Sequence, residues 1–119
     1  LCRNGNNVIA LCSSSLRYKE NIEDYSLGLE SLLRLRPVSF DWKDGQGRDL
    51  GFVAEEVAEI DPLWVTKNGQ GQIEGVKYDR LTTVLVNSVK EQENRIRSLE
   101  NEVAELKQQV KMLLDSRTK

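Results

Sequence analysis

The chain has 119 residues, a length that suits one domain with a modest core and not two. Acidic and basic residues nearly balance, with a formal net charge of −2, which argues against a nucleic-acid partner. Histidine is absent, which excludes Ser-His and Cys-His catalysis, and we predict neither a metal site nor a cofactor.

The first residues have the pattern of a β-structured segment. Asn4-Gly5-Asn6-Asn7 separates two short apolar stretches, and residues 8–11 are the better strand candidate. Cys2 and Cys12 are too few for a disulfide scaffold or a metal site, so we interpret them as small apolar residues of an extended segment. Because the chain begins within this pattern, we expect residues 1–13 to be the end of an upstream β-structured region of a longer protein.

The next stretch mixes helical and strand patterns. A broad leucine face predicts a helix that begins at Asp24 or Ser26 and is stopped by Pro37. Residues 38–42 alternate apolar and polar side chains, which predicts a strand, and residues 43–47 have the composition of its turn.

Residues 51–60 are ambiguous, because Phe52 and Val53 can end a strand while residues 54–60 have a helix-forming composition. Asn68-Gly69 between two apolar runs predicts a hairpin. These patterns together predict an α+β globular domain over residues 14–81. Four aromatic side chains are predicted to lie in its core, namely Phe40, Trp42, Phe52 and Trp64.

The last third of the chain carries the most regular pattern. Asp79 is the predicted N-cap of one long helix that neither Gly nor Pro interrupts. Over residues 82–117 its core positions alternate in steps of four and three, the a and d positions of a coiled coil. The alternative, an amphipathic helix packed within one chain, fits this narrow repeat less well. The predicted seam consists of Leu85, Val89, Gln92, Ile96, Leu99, Val103, Leu106, Val110 and Leu113.

Charged residues beside the seam favour identical chains that run parallel. Arg95 at a g position attracts Glu100 at the e position of a neighbour, and Glu102 attracts Lys107 in the same way. β-branched residues at a with leucine at d favour a dimer. Residues 95–100 instead resemble the trimer-specifying pattern Arg-h-x-x-h-Glu. We predict a parallel homotrimer, with a dimer as the alternative.

Ser14 and Lys19 form a candidate for hydrolytic chemistry that needs no histidine. A serine becomes nucleophilic when a base takes its proton, and a lysine can be that base once burial or a nearby cation has made it neutral. Arg17 is a cation two residues from Lys19. The spacing by itself favours a solvated linker over a catalytic site.

The segment that begins at Ser14 resembles a known family. Residues 14–22, Ser-Ser-Leu-Arg-Tyr-Lys-Glu-Asn-Ile, are similar to the motif Ser-Asp-x-Arg-x-Lys-Glu-Asn-Ile that opens the endosialidase-type chaperone domains. Those domains stand at the C-terminal ends of phage tailspikes and tail fibres. The likeness continues in order to about residue 92, through the segments 33–43, 51–57, 62–65, 75–81 and 89–92.

The resemblance implies a homotrimeric intramolecular chaperone that assists folding of the β-structured region before it and then cuts itself off. The family's nucleophile falls on Ser14 and its lysine base on Lys19, with Arg17 in support. Ring size favours the Ser13–Ser14 bond as the cleavage site. Because Ser15 stands where the family has Asp, a cap that stays attached and does no chemistry is the alternative.

The partners implied are other copies of the chain and the upstream domain, with neither nucleic acid nor membrane. We expect the module to act in the cytoplasm of the producing cell during assembly, and its parent protein to be part of a virion.

Overall fold

The computed structural model of the chain describes residues 2–3 and 8–118. Three short 3-10 turns, at Leu16–Tyr18, Pro62–Trp64 and Tyr78–Arg80, connect its elements. A small strand-containing part precedes a 37-residue helix, which confirms the predicted α+β class. The elements are β1 (Cys2–Arg3), β2 (Ile9–Ala10), α1 (Leu29–Leu32), β3 (Val38–Asp41), β4 (Arg48–Gly51), α2 (Ala54–Ile60), β5 (Val65–Lys67), β6 (Ile73–Val76) and α3 (Leu81–Arg117).

The strands form three separate antiparallel pairs. β1 pairs with β2, β3 with β4 and β5 with β6, and an irregularity interrupts the last ladder between Thr66 and Lys67. The predicted strand at 38–42 and the hairpin at Asn68-Gly69 are thus confirmed. Residues 51–60, which were ambiguous, contain both predicted elements, because β4 ends at Gly51 and α2 occupies residues 54–60.

The core lies where α2 and β5 meet the first turns of α3. Its buried side chains are Val57, Trp64, Val65, Leu81 and Val84. Burying a side chain of this size stabilises a fold by roughly 1.5–3 kcal/mol relative to leaving it in water. This small apolar cluster therefore anchors the beginning of the long helix to the globular part.

Trp64 is buried as predicted, but the prediction that Trp42 lies in the core is wrong. Trp42 is 46% exposed. Its ring packs edge-on against Phe40, with ring centroids 4.9 Å apart, and its indole N–H donates to Asp49 Oδ2 at 3.2 Å. The aromatic pair thus covers one face of the β3–β4 hairpin instead of filling the core.

Helix α1 is shorter than predicted, and the residues before it form hydrogen bonds with a side chain of α3. Asn87 Nδ2 donates to the carbonyl oxygens of Tyr25 and Leu27, at 2.6 and 2.9 Å. These hydrogen bonds tie the chain before α1 to α3, and the helix begins at Leu29 instead of residue 24 or 26.

Asp79 is not the N-cap of the long helix, contrary to the prediction. Residues Tyr78–Arg80 form a 3-10 turn, and α3 begins directly after it, at Leu81. The backbone carbonyl of Asp79 accepts a hydrogen bond from Thr82 Oγ1 at 2.8 Å. Asp79 therefore joins the first turn through its main chain and not through its carboxylate. None of the helices in the described ranges combines the length and apolar character needed to cross a membrane.

Candidate functional site

Ser14 and Lys19, the two residues of the predicted dyad, are in contact. Lys19 Nζ donates a hydrogen bond to Ser14 Oγ over 2.7 Å. The 3-10 turn between them produces this contact, because Tyr18 N–H donates to the Ser15 carbonyl at 3.0 Å and Lys19 N–H to the Leu16 carbonyl at 3.1 Å. The chain thereby folds back so that a side chain five residues later reaches the serine.

Ser15 holds the start of this turn. Its hydroxyl oxygen accepts from the Arg17 backbone N–H at 3.4 Å, a long version of an N-cap contact. The Arg17 guanidinium lies 3.5 Å from the same oxygen and stacks over the Tyr18 ring at 4.8 Å. Arg17 thus contacts Ser15 and Tyr18, and its support of Lys19 stays a prediction.

The dyad lies on the surface of the single chain. Residues 11–24, which include Ser14, Arg17 and Lys19, are exposed throughout. The burial that a neutral lysine base requires is therefore not supplied within one copy by the described residues.

The two cysteines form a disulfide, so their interpretation as separate small apolar residues is wrong. Cys2 and Cys12 are joined with their Cα atoms 5.0 Å apart, well within the range for a disulfide. The antiparallel β1–β2 pair sets Cys2 opposite Ala10 and so brings the cysteines together. The signal in the sequence was their position on either side of a turn-forming run. That run, Asn4-Gly5-Asn6-Asn7, lies outside the described residues.

A partly buried polar network around Tyr25 was not predicted from the sequence. The Tyr25 hydroxyl donates to Asp61 Oδ2 and accepts from Trp64 Nε1 at 2.7 Å. Asp61 Oδ1 in turn accepts from the Leu63 N–H at 2.9 Å. Burial, followed by the hydrogen bond to Asp61, raises the pKa of Tyr25 to about 12. This network ties the segment that follows the dyad to the core.

In the first turns of helix α3, one face is buried against the globular part and another face, which carries the predicted seam, is exposed. Leu81, Val84 and Ser88 are buried against the globular part, whereas every residue from 92 to 118 is exposed. All nine residues of the predicted seam are exposed, and Leu99 and Leu106 have 58% and 59% of their surface open to solvent. Arg95 and Glu100 are likewise exposed in the single chain. The face that fixes the helix to its own domain is thus distinct from the seam.

The described residues contain no cluster of three or more His, Cys, Asp or Glu side chains suited to a metal ion. The acidic side chain of Glu56 on α2 accepts two hydrogen bonds from the Arg36 guanidinium, at 2.7 and 2.8 Å. The Arg36 guanidinium lowers the pKa of Glu56 below its usual value.

Residues 14–66 match the model of the peptidase S74 family, which is described as the chaperone of endosialidase. The match begins at Ser14 and ends within β5, so it includes Lys19 and the Tyr25–Asp61–Trp64 network. This part of the chain is similar to that family, and the resemblance seen in the sequence is confirmed over these residues. The match supports a chaperone role. No curated protein sequence matches the chain.

Proposed function

We propose that the chain is an intramolecular chaperone and trimerisation module for an upstream β-structured fibre or spike, from which it releases itself by autoproteolysis. The observation that carries the proposal is the division of α3 into a face buried in its own domain and an exposed apolar seam. An exposed apolar stripe of this length is costly in water and favours association with identical helices.

Association through α3 would solve a kinetic problem of the upstream region. Intertwined β-structures must bring three chains into register before any long-range contact stabilises them, which makes their nucleation slow. A parallel coiled coil raises the local concentration of the three upstream segments and makes their pairing effectively intramolecular. The globular part, anchored to α3 through Val84 and Ser88, would hold the upstream chain ends close to this assembly.

The cleavage proposed for Ser14 and Lys19 follows from their contact. Ser14 Oγ attacks the carbonyl carbon of Ser13 through a five-membered ring, while the neutral Lys19 amine takes the hydroxyl proton. The peptide C–N bond breaks, and the nitrogen of Ser14 receives a proton from the lysine. Ser13 is then an ester on Ser14 Oγ, and water hydrolyses it to a carboxylate and a free amine at Ser14.

The exposure of the dyad links this chemistry to assembly. A lysine with its usual pKa of about 10.4 is protonated at neutral pH and cannot act as a base. In the proposed mechanism a neighbouring copy covers Lys19 only after the chains have associated. Cleavage would therefore follow assembly, and the detached upstream trimer would owe its lasting stability to slow unfolding. We propose that assembly occurs in the cytoplasm of the producing cell and that the parent protein joins a virion.

The chaperone part is tested by expressing the module behind its natural upstream domain with Leu99 and Leu106 changed to polar residues. We expect the upstream region to become insoluble or unassembled. Met112, which is 63% exposed and outside the seam, gives the matched control Met112→Gln, which should assemble normally. Normal trimerisation of the upstream region with the damaged seam would contradict the proposal.

The cleavage part is tested by intact-mass measurement of the same protein. Ser14→Ala, Lys19→Ala and Lys19→Arg should each remain at full length, since a guanidinium does not deprotonate at usable pH. Lys43→Arg, at an exposed lysine in the β3–β4 turn, is the control that should still be cut. If the parent is never cut but still assembles, the attached, non-cleaving cap is the correct function. If Lys19→Arg is cut as well as the parent, the dyad is wrong.

A further inference from the structure

The disulfide lies next to the bond that we propose is cut. Cys12 is two residues before Ser14, so the carbonyl of Ser13 is only one residue beyond the cross-link. The Ser13 N–H donates to the Leu11 carbonyl at 2.8 Å, which turns the chain at this point. On the other side, the Leu16–Tyr18 turn fixes the position of Lys19. The scissile bond thus lies between two local constraints.

Packing against the core does little to fix the conformation of the chain on either side of the Ser13–Ser14 bond. Residues 8, 9 and 11–24 are exposed. Strands β1 and β2 have only two residues each, and a two-stranded hairpin of that size is marginal in water without further support. A cross-link between residues ten positions apart removes many of the alternative conformations of such a segment. Reducing the disulfide would therefore increase the conformational freedom of the chain on the N-terminal side of the scissile bond.

We propose that the Cys2–Cys12 disulfide is a redox-sensitive positioning element for autoproteolysis. In the oxidised chain it holds the Ser13 carbonyl within reach of Ser14 Oγ, and in the reduced chain that carbonyl samples many positions and cleavage slows. The inference rests on the proposed self-cleavage. Both cysteines lie upstream of the Ser13–Ser14 bond, so the disulfide does not hold the two products together and remains on the upstream one.

The redox step itself is an ordinary thiol–disulfide exchange. Two cysteine thiols lose two electrons and two protons to a small-molecule disulfide such as oxidised glutathione, which is reduced to two thiols. A dithiol such as dithiothreitol reverses the reaction and is itself oxidised to a cyclic disulfide. Cys12 is exposed, so both reagents can approach the disulfide from its side.

The test uses cell-free synthesis of the 119-residue chain in a glutathione buffer that forms disulfides or in dithiothreitol. Intact mass over time follows the loss of the first 13 residues, which leaves a fragment of 119 − 13 = 106 residues. The variant Cys2→Ser/Cys12→Ser is measured in both buffers. Ser14→Ala provides the uncut control, and sedimentation confirms that each sample has assembled alike.

We expect the oxidised parent to be cut at least about tenfold faster than the reduced parent, since displacing a reacting group by about 1 Å can cost 100-fold in rate. The double serine variant should be slow in both buffers. The pH of half-maximal cleavage should stay the same in all samples, because the disulfide positions Ser13 and leaves Lys19 unchanged.

Four results would overturn the inference, and they have different meanings. Equal rates for the oxidised and reduced parent, or a double variant as fast as the oxidised parent, would show that cleavage occurs without help from the disulfide. A shifted pH of half-maximal cleavage would show that the disulfide acts through the base and not through Ser13. An assembled parent that stays uncut in both buffers would overturn the proposed self-cleavage as well.

Discussion

The carboxylate of Glu91 on α3 accepts a hydrogen bond from the backbone N–H of Leu29, with 3.2 Å between Leu29 N and Glu91 Oε2. The contact joins residues 62 positions apart and satisfies the first amide of α1. Gly28 makes room for it, because a Cβ at this position would lie 2.1 Å from Glu91 Oε1. The long helix therefore also determines where the short one begins.

This relationship predicts that Gly28→Ala and Glu91→Ala destabilise the domain by the same route. Each should lower the free energy of unfolding by about 1 kcal/mol, because each removes the acceptor from the Leu29 N–H. Urea denaturation of the double variant should show a loss clearly smaller than the sum. Gly69→Ala, with open space around it, is the control and should change little. Fully additive losses would contradict a shared cause.

The raised pKa of the Tyr25 hydroxyl leads us to predict that the domain loses stability at high pH. Its pKa is about 12 in the folded chain against about 10 when unfolded, so the unfolded chain releases this proton first as the pH rises. The stabilisation is fully present below pH 10 and is lost as the pH rises towards 12. Urea denaturation should therefore show the advantage of the parent over Tyr25→Phe shrinking across that range. Tyr18→Phe, at an exposed tyrosine, should track the parent. A constant advantage would contradict the prediction.

The charges beside the seam predict how the assembled helices respond to reversal. In a parallel coil, Arg95→Glu would set two carboxylates against each other at each interface and lower the melting temperature. Exposed pairs contribute roughly 0.2–1 kcal/mol each, so three interfaces lose on the order of 1–3 kcal/mol. The exchange Arg95→Glu/Glu100→Arg should restore most of the loss when melting is followed by circular dichroism. If the single reversal has no effect at low salt, the parallel, in-register arrangement is wrong.

Substitutions of Ser15, which stands where the family motif has Asp, should change the rate of cleavage. Ser15→Ala removes the oxygen that caps the turn and should slow cleavage several-fold, since Lys19 is then held less firmly against Ser14. Ser15→Asp restores the family residue, keeps an acceptor and adds a charge near Arg17, so it should be cut at least as fast as the parent. Intact mass over time measures both. An unchanged rate for Ser15→Ala would contradict the capping role.

Local and periodic signals were sufficient for much of the fold. The composition of residues 54–60 and the Asn68-Gly69 turn each depend on neighbours within a few residues, and the structure has a helix and a hairpin there. The long uninterrupted pattern likewise predicted α3. The contact between Ser14 and Lys19 was anticipated from the family motif, and in the structure the two residues lie on either side of one turn.

Several of the features that the sequence did not predict involve contacts between distant parts of the chain. The chain before α1 is tied to Asn87, which is about 60 residues away and whose side chain donates to carbonyls of the predicted first turn. The Tyr25–Asp61 hydrogen bond joins residues 36 positions apart. Trp42 is exposed because its hairpin has a solvent-facing side that the alternating pattern alone does not identify. Residue patterns report which side chains prefer burial but not which partners they meet.

The most direct test of the proposed assembly is sedimentation equilibrium of the Ser14→Ala chain at micromolar concentration. This variant stays whole, so that its mass reports association alone. Self-association through the seam predicts a mass of three chains, 3 × 13.6 = 40.8 kDa. A mass of two chains would change only the stoichiometry. A stable monomer of 13.6 kDa would contradict the account of the chain as a trimerising chaperone.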